Sequence, residues 1–227
     1  MSRPPRRCAG GVVYHILNRA NGRLGIFKRR EDYEAFERVL AESLRRVPVR
    51  LCGYCIMPNH WHLMLWPQED GEVSEFMQWL TLTHTQRWHA AHGTTGIGHV
   101  YQGRFKSFPV QSDKHYLAVL AYVESNALRG GLVGEAHRWR YSSLTIRVGE
   151  ARAGLTLSYG PVSLPGNWLR LVNRLPGKVM AERLNLSMRR GSPFGSETWV
   201  REAADRLCLG ATLRPMGRPR KDERNGT

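Results

Sequence analysis

The residue types best suited to chemistry in this chain are two histidines, His60 and His62, and a tyrosine and an asparagine, Tyr122 and Asn126. The histidines lie in His60-Trp-His-Leu-Met-Leu-Trp66, a run that reads as a strand. Residues two apart on a strand project from one face, which puts both imidazoles on one side and Trp61 on the other. Two neutral imidazoles side by side are natural ligands for a divalent metal ion, although an isolated His-x-His is more often structural. Tyr122 and Asn126 belong to the helical stretch Ala121-Tyr-Val-Glu-Ser-Asn-Ala-Leu-Arg129, one turn apart on one face. Asn126 can offer a carbonyl oxygen to a hard cation, and Tyr122 can present its hydroxyl to a phosphate held by that cation. Out of context, the same two residues suit a half-buried core tyrosine and a surface amide.

The elements that must position these groups follow from periodicity. Gly11-Val-Val-Tyr-His-Ile-Leu-Asn18 is β-branched and aromatic and predicts a first strand. Residues 19–30 read as a Gly-, Asn- and Arg-rich loop. Asp32 suits the cap of a helix carrying Tyr33, Phe36, Val39, Leu40 and Leu44 at helical spacing, ended by Pro48. Strands over 49–57 and 60–66 flank the tight turn Pro58-Asn59. A helix follows from Glu72 to about His92, then a Gly/Thr loop and a strand or ribbon over His99–Val110. Ser112 or Asp113 caps a helix running to about Arg129, ended by Gly130-Gly131. This order predicts an α+β fold, a ferredoxin-like antiparallel sheet with helices on one face. A smaller C-terminal helical region and a basic tail are added to it. The expected units are a catalytic domain over 1–148, an accessory region over 149–213 with one helix at 196–209, and a tail over 214–227.

Composition narrows the function classes. A hydrophobic share of 41% and a charged share of 23% are those of a globular chain. No apolar run reaches the roughly 18 residues that a membrane-spanning helix needs, and no signal core is visible. The expected address is cytoplasmic and nucleoid-associated, with no membrane partner. Thirty-four Lys+Arg against nineteen Asp+Glu give a formal +15, with Arg dominant, the footprint of a phosphate-binding surface. Cys52-Gly-Tyr-Cys55 has no second pair of matching spacing, and on a regular strand residues three apart face opposite ways. These cysteines, with Cys8 and Cys208, read as buried or incidental thiols. His84, His89, His92 and His99 lack acidic or thiol partners nearby and read as helix-surface or loop histidines. Among the seven Trp residues, Trp139 is the one placed to stack on a base.

Pro58-Asn-His-Trp-His-Leu-Met64 strongly resembles the metal-binding motif of the REP-associated tyrosine transposases, relatives of the single-tyrosine HUH transposases of small insertion sequences. Gly103-Arg-Phe-Lys-Ser107, Tyr122-Val-Glu-Ser-Asn-Ala-Leu-Arg129 and Trp139-Arg-Tyr-Ser-Ser143 are similar to further segments of that family, in the same order. Leu213-Arg-Pro-Met-Gly-Arg-Pro-Arg-Lys221 matches more loosely. One departure stands out: where the family usually has Asn-Pro-Val-Arg, this chain has Asn126-Ala-Leu-Arg129.

The resemblance implies that His60, His62 and Asn126 hold one Mg²⁺ or Mn²⁺ and that Tyr122 attacks a phosphate of single-stranded DNA. The products would be a 5′-phosphotyrosine and a free 3′-OH. A phenol titrates near 10, so the nucleophile needs activation, for which Lys106, Lys114 and His115 are candidates. Tyr116 is the competing nucleophile. DNA contacts are expected from Arg19, Arg23, Arg104, Lys106 and Arg129, and from Arg218 and Arg220 in the tail. The implied partner is single-stranded DNA carrying hairpin or palindromic repeats, processed by a monomer or a homodimer. Two other readings compete: a module that grips structured DNA or RNA without cutting it, and a metal hydrolase using water.

Overall fold

The computed structural model describes residues 8–150 and 154–214. Four strands, β1 (Val13–Arg19), β2 (Arg50–Met57), β3 (His60–Trp66) and β4 (Lys106–Val110), form one antiparallel sheet in the order β2-β3-β1-β4. Helices α1 (Arg30–Arg46) and α2 (Glu72–His92) provide the crossovers that make this sheet ferredoxin-like. Both pack on one face, where Phe36, Leu40, Phe76 and Leu80 meet Tyr14, Ile16, Trp61 and Leu63.

The opposite face is covered by five of the helices that follow β4. These are α3 (Lys114–Glu124), α4 (Asn126–Arg129), α5 (Ser143–Arg147), α6 (Trp168–Asn173) and α7 (Lys178–Arg190). Val119, Leu120 and Val123 of α3 share a core with Val13, Phe108 and Val110, and Trp168, Val172, Leu184 and Phe194 join it. Side chains between Trp168 and Phe194 therefore pack into the core of the sheet. Phe194 also pairs with the outer edge of β4, donating to Pro109 O at 2.9 Å and accepting from Gln111 at 3.0 Å, which covers an otherwise open edge.

Several local readings change. Asp32 stands inside α1, where its carboxylate accepts from the backbone N–H groups of Lys28 (3.0 Å) and Arg29 (2.9 Å). This is the backward-reaching half of a capping box, so the helix starts before the residue that caps it. Residues 99–105 are not a strand. They leave the sheet after a single bridge, Ala20 to Tyr101, and only Lys106–Val110 pairs with β1. Cys52 and Cys55 face the same core, because a register shift at Leu51/Gly53 inserts an extra residue into β2. Both thiols are free, and burial pushes Cys52 up to about 11 and Cys55 to about 12. His84 is not on a helix surface. It is buried, with Nδ1 2.7 Å from the Tyr101 hydroxyl, which in turn accepts from Trp61 Nε1 at 3.0 Å. Trp139 is tied down by donation to Ile56 O at 2.8 Å and by edge contacts to Tyr33 and Tyr141. It supports the core.

The helix carrying the tyrosine begins at Asp113, whose side chain accepts from His115 N at 2.7 Å. It is interrupted at Ser125, whose hydroxyl donates back to Tyr122 O at 3.3 Å, and it ends at Gly131, in the left-handed region at φ 70°. Next to the tyrosine, Glu124 is fully buried and triply bound. One oxygen accepts from Ser143 Oγ (2.6 Å) and Arg147 Nε (2.7 Å), the other from Trp168 Nε1 (2.7 Å). Arg147 also donates to Cys52 O. The network fixes α3 against β2, α5 and α6. Truncating one member strands the others in low dielectric. Glu124→Ala is expected to cost about 3–5 kcal/mol, read as a fall in the denaturant midpoint at unchanged slope.

Candidate active site

His60 and His62 project from β3 toward α3 and α4, as their alternation requires, and Trp61 is buried on the far side beside Phe36. The turn Pro58-Asn59 sets their position. Pro58 O accepts from Ile26 and Phe27, both at 3.0 Å, and Asn59 O accepts from Ala20 at 2.9 Å, so the hairpin tip is anchored to the loop after β1. Each imidazole is held through Nδ1. That of His60 lies 2.6 Å from Asn59 Oδ1, an acceptor, and that of His62 lies 2.8 Å from His15 Nε2. The two rings are 5.1 Å apart and nearly perpendicular.

Burial, reinforced by the cations Arg19 and Arg129, lowers His60 to about 4. Burial, then His15, His60 and the same two arginines, takes His62 well below the usual histidine range. Both rings are therefore neutral at pH 7, the state in which a nitrogen lone pair can bind a metal.

Tyr122 stands across from this pair, its ring 6.3 Å from that of His62. The Arg129 guanidinium lies 3.6 Å over the tyrosine ring, and the hydroxyl donates to Asn185 Oδ1 of α7 at 3.4 Å. Asn126 is 5% exposed, and its Nδ2 has no partner; Nε of Arg19 and Nε of Arg129 are likewise buried and unpartnered. Since buried donors are rarely left bare, the three together mark a place for an oxygen-rich ligand. A half-turn of the Asn126 amide exchanges nitrogen for oxygen, so the same position can offer a carbonyl oxygen to a cation. Among the described residues no group of three or more His, Cys, Asp or Glu is arranged so that it could hold a metal ion by itself. A metal held by His60, His62 and Asn126 would have a wholly neutral protein ligand set. It would depend on phosphate oxygens to balance its charge.

These groups open onto one cleft of about 940 Å³, whose wall also includes Arg19, Arg104, Lys106 and Arg129. Arg23 is exposed on the neighbouring turn and does not line the cleft. Arg218 and Arg220 lie outside the described residues. Of the candidate activators, Lys106 lines the cleft, whereas Lys114 and His115 border a separate hollow beside Phe194. Tyr116, the rival nucleophile, is 1% exposed and turned into the core against Cys52, and its hydroxyl is raised far above the usual range by burial and by that thiol. Sequence reasoning missed His15, Asn59 and four residues of α7, namely Glu182, Asn185, Met188 and Arg189, which close one side of the cleft.

A ferredoxin-like sheet whose strand histidines face a helical tyrosine across an arginine-lined cleft defines a transposase-like, DNA-binding protein. Residues 8–126, just over half of the chain, match the family described as Transposase IS200 like, and the chain belongs to that family. It is 22% identical over 134 residues to the REP-associated tyrosine transposase of Escherichia coli (strain K12), covering 59% of this chain and 76% of that protein. It also resembles the solved structure of the REP-associated tyrosine transposase bound to a REP hairpin. The TM-score is 0.53 at 20% identity, over 73% of this chain and 100% of that one, a likeness of fold. Transposases of this kind are DNA-cleaving enzymes. Among the described residues, no helix is long and apolar enough to cross a membrane.

Proposed function

We propose that this chain cleaves and rejoins single-stranded DNA at hairpin-forming palindromic repeats, using Tyr122 as nucleophile and one Mg²⁺ or Mn²⁺ held by His60, His62 and Asn126. The observation that carries this reading is the convergence of those four side chains on a cleft with unpartnered donors from Arg19 and Arg129.

Arg19, Arg129 and Lys106 would bind and orient the scissile phosphate. The metal, when bound, supplies Lewis-acid withdrawal of charge from the phosphate. Tyr122 Oη, losing its proton, attacks phosphorus; the bond to the 3′ oxygen breaks, and that oxygen leaves as a 3′-OH after taking up a proton. The product is a 5′-phosphotyrosine. Because one phosphodiester is exchanged for another, a different 3′-OH can reverse the step without ATP. His60 and His62 enter as neutral ligands and need shed no proton to act at pH 7.

The test is a denaturing gel of purified protein with labelled single strands carrying palindromes from beside its gene, in Mn²⁺ or Mg²⁺. A covalent adduct supports the enzyme. Tight hairpin binding without adduct in both metals, over several repeats, supports a binding module instead.

Phosphate contacts should also report themselves through salt. Arg104→Ala and Lys106→Ala are each expected to weaken binding equally across sequences. Each should reduce the slope of log K against log[salt] by about 0.7, the value for one single-strand phosphate contact. Unchanged slopes would place the DNA elsewhere.

A further inference from the structure

We propose that His15 is a positioning residue for the metal site, resting on the reading of His60, His62 and Asn126 as its ligands. In this proposal His15 Nε2 accepts a hydrogen bond from His62 Nδ1–H, holding His62 in the tautomer whose bare Nε2 faces the cleft.

The pairing of β1 with β3 sets Leu17 opposite His62 and His15 opposite Met64, so His15 and His62 are diagonal neighbours on one face. Their rings lie 5.0 Å apart at 42°, with His15 Nε2 2.8 Å from His62 Nδ1. His15 is 1% exposed and packs against Phe108 at 4.7 Å. Its other nitrogen, Nδ1, has no partner. The single polar contact of this buried ring is therefore the one to His62. An apolar side chain could fill the same space without a desolvation cost, so the imidazole earns its position through that contact.

Two neutral imidazoles share one hydrogen across the contact. Were His15 the donor, His62 would carry its own hydrogen on Nε2 and present an N–H, which no metal can use. With His62 as donor, Nε2 is free. The neighbouring ligand follows the same plan, since His60 Nδ1 can only donate to Asn59 Oδ1, at 2.6 Å. Both ligands are thus braced from behind through Nδ1, one by an amide oxygen and one by an imidazole. Such outer partners fix ring orientation as well as tautomer.

The proposal is tested first without metal or DNA. Long-range ¹H–¹⁵N spectra of the unaltered protein should show His62 protonated at Nδ1; protonation at Nε2 overturns the proposal. Titration with Mn²⁺, followed by electron paramagnetic resonance, then compares His15→Leu, His15→Gln and His62→Ala. His15→Leu is expected to weaken Mn²⁺ binding about 10–100-fold. Gln carries an acceptor at the reach of Nε2, so His15→Gln should bind within about threefold of the parent, well inside that loss. A folded His15→Leu protein that binds as the parent does refutes the role of His15. If His62→Ala also binds unchanged, the fault lies with the ligand assignment itself. The spectrum of the parent decides the tautomer whether or not His15→Leu folds.

Discussion

Tyr122→Phe is expected to abolish covalent capture of DNA while leaving hairpin binding nearly unchanged. The substitution removes one oxygen. It keeps the ring that faces His62 at 6.3 Å and lies under Arg129 at 3.6 Å, so the cleft keeps its shape. The hydroxyl lost makes a long 3.4 Å hydrogen bond to Asn185, and the effect on stability should be under about 1 kcal/mol. Removing a nucleophile, by contrast, costs on the order of 10⁴–10⁶ in turnover. Tyr116 offers no substitute, because it is sealed in the core behind Cys52 and Gly160. An adduct that survives in Tyr122→Phe would mean that another group performs the attack and that the cleft has been misread.

The second large effect concerns acid. His15 and His84 are buried neutral rings, each lowered by burial to about 3. In the unfolded chain both titrate near 6.5, so between about pH 6.5 and pH 3 the unfolded state binds more protons than the folded one. Stability then falls as pH falls. At one and a half units below 6.5, each ring contributes a loss of about 2 kcal/mol, or about 4 kcal/mol for the pair between pH 7 and pH 5. His60 and His62, displaced in the same direction, add to it. For a chain of this length 1 kcal/mol corresponds to about 2–4 °C, so the metal-free melting temperature should drop by at least roughly 8 °C. A melting temperature that holds or rises at pH 5 would contradict the burial of these rings.

Much of the site was legible because it depends on short-range geometry. Alternation on β3 sorts His60 and His62 from Trp61, a tight turn fixes where that strand begins, and one helical turn joins Tyr122 to Asn126. The residues behind the site were not legible, for physical reasons. The contact of His15 with His62 depends on β1 and β3 being neighbours in one register, which no local pattern encodes. The shared face of Cys52 and Cys55 depends on a bulge, and the burial of His84 depends on Tyr101, seventeen residues away on a segment read as a strand. Helix α7 turns few large apolar side chains inward, Leu184 and partly Met180 and Met188, so its periodicity is faint although its place over the cleft is definite.

The carboxylate of Glu124 has a consequence for anyone wishing to shrink this protein into a portable cutting tool. The sheet, both histidines, the tyrosine and the asparagine all lie before residue 131. The plausible trimming point near residue 148 would nonetheless remove Trp168 and leave one Glu124 oxygen without its donor, two residues from the nucleophile. The same cut would strip Val172, Leu184 and Phe194 from the second core and uncover the edge of β4 to other chains. A minimal version therefore has to retain the chain through Phe194, or else replace Glu124, Arg147 and Ser143 together by apolar residues of matching volume.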